Sequence, residues 1–361
     1  MPLLVRLLAD PGQAAGLGPA EWDLALRQAT STSLTPSLLA LLEERGLLDQ
    51  VPAQPRAHLE WVRALAARHR QAVRFEVECI QEALDAVAGT APLLLLKGAA
   101  YTMAGLRAGA GRLYNDIDIM VPKARLDDTE SALMLHGWVS AHLDAYDQRY
   151  YRRWMHELPP MQHVRRRTSI DVHHAILPET APVHPDPDKL RAGAVPVEGR
   201  PGLATLAPAD MVLHSAVHLF FDGEFDKGLR DLLDLHRLFQ EFGSRPGFWE
   251  ALPARARELE LGRPLFYALR YSRRLLGSPV PDTVLAAVAP LGPGRPLLAL
   301  MDALFERALL PMHASCDDAF TGSARFALYV RGNWLRMPPL LLARHLFHKA
   351  FLTKNDAPET A

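Results

Sequence analysis

The sequence predicts an α+β protein: a small mixed β-sheet core with helical regions on its N-terminal and C-terminal sides. Three observations carry that prediction. Apolar residues recur at helical spacing up to about residue 88 and again after residue 206. Between those stretches lie short apolar runs, one of which alternates apolar and acidic residues with period two. The middle region orders its elements as strand, helix, strand, helix, strand, strand, strand, which indicates a mixed sheet rather than a bundle.

The elements follow in order. Within a helical region 1–88, Pro19-Ala-Glu-Trp-Asp-Leu opens one helix, SLTPSLLALLEERG closes another at Gly46, and about 56–87 carries a third. In the α/β core, 89–180, LLLLKG reads as a buried strand ended by glycine, and AAYTMAGLRAG as a helix stopped at Gly109. DIDIMV is the alternating strand. RLDDTESALMLHG is a helix with acids in its first turns and Gly137 at its end, and WVSAHLDA, MQHVRRR and TSIDVHHAI are three further strands. The segment 181–206 is rich in proline and glycine and reads as a surface connection. A C-terminal helical domain, 207–361, begins with PADMVLHSAVHLFF and LRDLLDLHRLFQEF, extends to about Phe351 and ends in a frayed KNDAPETA.

Composition narrows the partners. Forty basic against 41 acidic residues leave a net charge of -1, so any polyanion must be held by a local basic patch. This favours a small molecule or a protein over nucleic acid as a partner. Two cysteines far apart in sequence, Cys79 and Cys316, argue against a disulfide framework and fit a cytoplasmic setting. The N-terminal apolar run is too short for a signal peptide, and the expectation is no membrane association.

The chemistry concentrates in GRLYNDIDIMV. On a strand, Asp116 and Asp118 share one face while Ile117, Ile119 and Val121 share the other. Two carboxylates this close repel unless a cation lies between them, and a hard dication such as Mg²⁺ brings phosphate chemistry with it. A solvated acidic face is the competing explanation of an isolated D-x-D. Asp171, on SIDVHHAI, offers a third carboxylate if its strand lies beside DIDIMV. His173 shares the face of Asp171 by alternation and reads either as a substrate contact or as a packed histidine. At Lys97-Gly98 a strand enters a helix whose first N–H groups can hold phosphate, with glycine permitting close approach.

Taken together, LLLLKGAAYTMAGL, R-x3-DIDIMV, LHGW and SIDVHHAI resemble the nucleotidyltransferase superfamily that includes DNA polymerase β. They are most similar to a bacterial group of uncharacterised nucleotidyltransferases, in which Lys-Gly replaces the superfamily's Gly-Ser. The resemblance covers roughly residues 90 to 240. It implies that Asp116 and Asp118 ligate metal and nucleotide phosphates, and that Asp171 completes the metal site and draws the proton from the acceptor hydroxyl. It further implies that Gly98 approaches the triphosphate, that Lys97 contacts a phosphate and that Arg112 neutralises phosphate charge. The expected reaction moves an NMP, AMP by default, from an NTP to a hydroxyl with Mg²⁺ or Mn²⁺. The alternative is a non-catalytic nucleotide-binding or interaction protein that retains the fold, and a histidine-based phosphoesterase is a third reading.

Other signals point elsewhere. His156-Glu157 opens like a zinc-protease HExxH, but Pro159 and Pro160 break the helix that motif needs. His214 and His218, four apart, read as core or interface histidines rather than as a metal pair. RYYRRWMHE and the arginines at 165–167 read as a solvated strand face rather than a base-stacking surface. Asp226, Arg230, Asp231 and Asp234 read as charge pairs along one helix.

Overall fold

The computed structural model describes residues 1–140, 148, 151, 152 and 154–337. Its α+β architecture matches the sequence prediction, a mixed sheet set among helices. The N-terminal helices are α1 (Leu3–Ala9), α2 (Pro19–Ser31), α3 (Thr35–Glu44) and α4 (Ala53–Leu84). The sheet comprises β1 (Leu93–Leu95), β2 (Asp116–Met120), β3 (Trp138–Ser140), β4 (Met161–His163), β5 (Ser169–His173), β6 (Val195–Pro196) and β7 (Leu203–Thr205), in the order β3-β4-β5-β2-β1-β7-β6. Helices α5 (Lys97–Met103) and α6 (Leu126–Leu135) connect the early strands, and α7 (Pro187–Ala192) precedes β6. The C-terminal helices are α8 (Pro208–Phe221), α9 (Gly228–Phe242), α10 (Phe248–Glu258), α11 (Gly262–Leu276), α12 (Asp282–Val288), α13 (Arg295–Ala308) and α14 (Thr321–Arg336).

The unbroken leucine run of β1 has a structural cause. Leu94 pairs antiparallel with Met120 on one side and parallel with Ala204 on the other, so β1 is interior to the sheet and buried throughout. Its second neighbour, β7, comes from the segment that the sequence reading treats as a surface connection. Three residues of β7 and two of β6 are too short, and too crowded by proline and glycine, to show a period of their own. The sheet therefore runs on to Thr205. The last residues of WVSAHLDA, part of RYYRRWMHE, the end of the last expected helix and the C-terminal tail lie outside the described residues.

Next to β1, β2 and β5 run parallel in register, Asp116 opposite Ser169 and Asp118 opposite Asp171. Behind them Ile117, Ile119, Ile170 and Val172 are buried. Helix α8 is apolar nearly all round because α9, α10, α11 and α14 all pack against it. It joins the sheet layer through Tyr101 Oη and Ser215 Oγ, 2.6 Å apart.

Two contacts tie the N-terminal helices to this core. Gly111 (φ +71°) lies so close to α3 that a Cβ there would fall 2.2 Å from the Pro36 carbonyl oxygen, so only glycine fits. Arg237 of α9, 2% exposed, donates to the carbonyls of Arg107 (2.7 Å), Ala110 (3.1 Å) and Ser37 (3.3 Å).

Candidate active site

The exposed ends of β2 and β5 form the floor of a cleft of about 440 Å³, walled by the segment before β4, the C-terminal half of α8 and the start of α9. Asp116, Asp118, Asp171, His173, Lys97 and Arg112 all line it. Strand alternation and the parallel register put Asp118 beside Asp171, with Asp116 and His173 one step away on the same face.

Asp118 anchors the cluster. It is 4% exposed, and its Oδ1 accepts from Lys97 Nζ at 2.9 Å and from His173 Nε2 at 3.0 Å. Burial works against its charge, yet the Lys97 ammonium and the His173 N–H hold it well below the usual carboxylate range. Burial likewise opposes the Lys97 charge, and Asp118 more than offsets it, keeping Lys97 protonated. Lys97 opens α5 with φ +43°, a left-handed conformation that costs a lysine roughly 1 kcal/mol or more and aims its side chain across β2.

Asp171 has no such cation. Burial, reinforced by Asp118 and Glu157, pushes its carboxyl up to about 7. Burial also raises Glu157. Glu157 and His173 form an antiparallel bridge ahead of β4, which brings the Glu157 side chain onto the acidic face. The cleft as a whole carries eight carboxylates against five lysine and arginine side chains, so it attracts further cations. That excess, with a carboxyl titrating near 7 on the sheet face, fits a hard dication held by oxygen ligands. The oxygens of the Asp116, Asp118 and Asp171 carboxylates are not among the ligand groups that already converge. Among the described residues the one group of three whose ligand atoms all lie within 4.8 Å of one another is His156, Glu157 and His173.

Two residues behave differently from the phosphate contacts expected of them. Arg112 is 7% exposed; its Nε donates to Asp234 Oδ2 at 2.6 Å, and its guanidinium sits against the rings of Tyr101 and Tyr114. Gly98 is buried under that guanidinium and is not among the lining residues: a Cβ there would fall 2.3 Å from Arg112 Nη1 and 2.7 Å from the Tyr114 ring. The glycine admits the arginine.

The acids of α9 also differ from the expected pairing along one helix. Asp234 reaches Arg112, 122 residues earlier, and Asp231 pairs with its neighbour Arg230 at 2.8 Å. Lys227, just before α9, lines the cleft with no ion pair among the described residues. His214 and His218 line it as well, and burial holds the His214 ring neutral, well below the ordinary range. Of the arginines at 165–167, Arg166 pairs with Glu76 at 2.8 Å and stacks on Trp138; none of the three lines the cleft.

A parallel in-register pair of aspartates and a third acid two residues earlier thus line an open cleft on an α+β core. In a comparison with known families, residues 18–277 match the family described as uncharacterised nucleotidyltransferase, and the chain belongs to that family. Membership implies a nucleoside triphosphate substrate and a divalent cation as classes. No curated protein and no solved structure matches the chain. No single helix among the described residues is long and apolar enough to cross a membrane.

Proposed function

We propose that the chain transfers an NMP, AMP by default, from an NTP to a hydroxyl of a small molecule or protein, with pyrophosphate released. The observation that carries this reading is the register of β2 and β5, which sets Asp118 against Asp171 with Asp116 on the same face. A divalent ion, Mg²⁺ or Mn²⁺, would be held by Asp116, Asp118 and Asp171 and would supply charge neutralisation for the phosphates. Asp171, on the same face as Asp116 and Asp118, would remove or orient the acceptor hydroxyl's proton. Lys97 keeps Asp118 ionised and oriented. Lys227, just before α9, supplies a phosphate contact. Arg112 acts as a positioning residue that fixes β2 against α9.

The lysine ammonium on Asp118 supports a second reading, a nucleotide-binding protein without transfer, because it already satisfies one oxygen that a metal would use. Incubation with each labelled NTP and Mg²⁺ or Mn²⁺ in cell extract, followed by mass analysis of whatever gains a nucleotide, separates the two. Transfer that disappears in Asp116→Asn supports the enzyme; metal-dependent NTP binding with no labelled product supports the binding protein. Equal NTP binding by the wild type and an Asp116→Asn/Asp118→Asn double variant would remove the catalytic reading.

A further inference from the structure

We propose that His156, Glu157 and His173 form a second cation site, selective for a transition metal of the Zn²⁺ type, beside the carboxylate face. It rests on its own residues and holds whether or not the chain transfers nucleotides. The HExxH reading fails because no helix follows Glu157; the missing histidine comes instead from β5, across the Glu157–His173 bridge.

Three observations carry the proposal. The ligand atoms of the three side chains already lie within 4.8 Å of one another, with the imidazole rings 5.3 Å apart. His173, 3% exposed, donates through Nε2 to Asp118, so in the neutral ring, the form a metal binds, Nδ1 carries the lone pair. A carboxylate that orients one ring nitrogen while the other faces a metal is the usual outer-shell arrangement of a histidine ligand. Finally, the His173 Nδ1 sits 3.1 Å from Glu157 Oε2 but off the direction in which a ring N–H would donate, and it forms no hydrogen bond. The Nδ1 of His156 is also buried without a hydrogen-bond partner. Two buried ring nitrogens left unpaired are costly, and a cation held where the three ligand atoms converge would relieve that cost. Two imidazoles and one carboxylate suit Zn²⁺, and not Mg²⁺, which prefers an oxygen shell. All three residues line the cleft.

The test titrates Zn²⁺ alone into the full chain after chelator dialysis, by calorimetry and metal analysis. The expected result is one equivalent per chain, with affinity at least about 100-fold lower in His156→Gln and Glu157→Gln, more than the roughly 10–100-fold that an outer-shell change costs. Asp116→Asn, on the carboxylate face, should keep Zn²⁺ binding unchanged. Failure of the wild type to bind, or binding that is lost in Asp116→Asn and kept in the other two, overturns the proposal. X-ray absorption at the zinc edge of the wild type needs no variant. Scattering from two imidazoles is expected, and an all-oxygen shell overturns the proposal even if the variants misfold.

Discussion

Two charged clusters border one cleft, and they are built on opposite terms. On the helical wall Arg112 and Arg230 meet Asp231 and Asp234, two cations against two anions, at 2.6 to 2.8 Å for the direct pairs. On the sheet face Asp116, Asp118, Asp171 and Glu157 share the permanent charge of Lys97 and whatever proton His173 carries. The first cluster is neutral and holds β2 against α9. The second is short of positive charge, and burial together with the neighbouring Asp118 and Glu157 pushes Asp171 up to about 7. A buried cluster that balances itself reads as structure; one that remains anionic reads as a place for an incoming cation.

The contrast can be broken most severely at Asp116. Asp116→Asn is expected to lower nucleotidyl transfer on the order of 10³-fold or more while leaving the melting temperature nearly unchanged. An active variant would put Asp116 with the structural acids. Asp234→Ala should do the reverse, costing about 3–5 kcal/mol because the Arg112 charge loses its closest partner in the interior. Denaturant titration gives the loss, and divalent-ion affinity of the folded fraction should hold steady.

Gly98→Ala sharpens the same distinction. Its Cβ would displace Arg112 and Tyr114, with an expected cost of about 1–3 kcal/mol, read as a lower urea midpoint. If activity falls with no change in midpoint, the glycine serves substrate approach after all.

Asp171 gives an effect of the opposite sign. Its carboxyl has an ordinary value of 3.8 and is pushed up to about 7 in the fold, so between those values the folded chain keeps a proton that the unfolded chain has released. Stability from this group is present below 3.8, declines as pH rises through that window and stays low above 7. Asp171→Asn should therefore raise the stability of the chelator-treated protein at pH 8 and flatten its stability between pH 4 and 7. Adding Mg²⁺ should stabilise the wild type more than the variant. Identical pH profiles for the two would mean that Asp171 carries no such strain.

Much of the sheet face was legible in the sequence. Period-two alternation is local, so DIDIMV and SIDVHHAI each declare which residues share a face. That the strands are neighbours, and in register, depends on pairing across more than fifty residues, and the aspartates meet only because of it. The same limit hid Glu157 and His156. They pointed to a helix motif and were set aside when prolines excluded the helix, whereas their partner lies sixteen residues on, across a bridge. Arg112 looked available for phosphate because its partner Asp234 belongs to a helix 122 residues away. β6 and β7 escaped notice because strands of two and three residues have no measurable period.

The three carbonyls that Arg237 engages come from α3 and from the loop leading to β2. Cutting the chain at the start of the sheet would strip one acceptor from a guanidinium that water cannot reach. A fragment beginning near residue 89 would thus lose the Ser37 acceptor and lay this side of Arg237 open. Screens for the acceptor belong with the entire polypeptide.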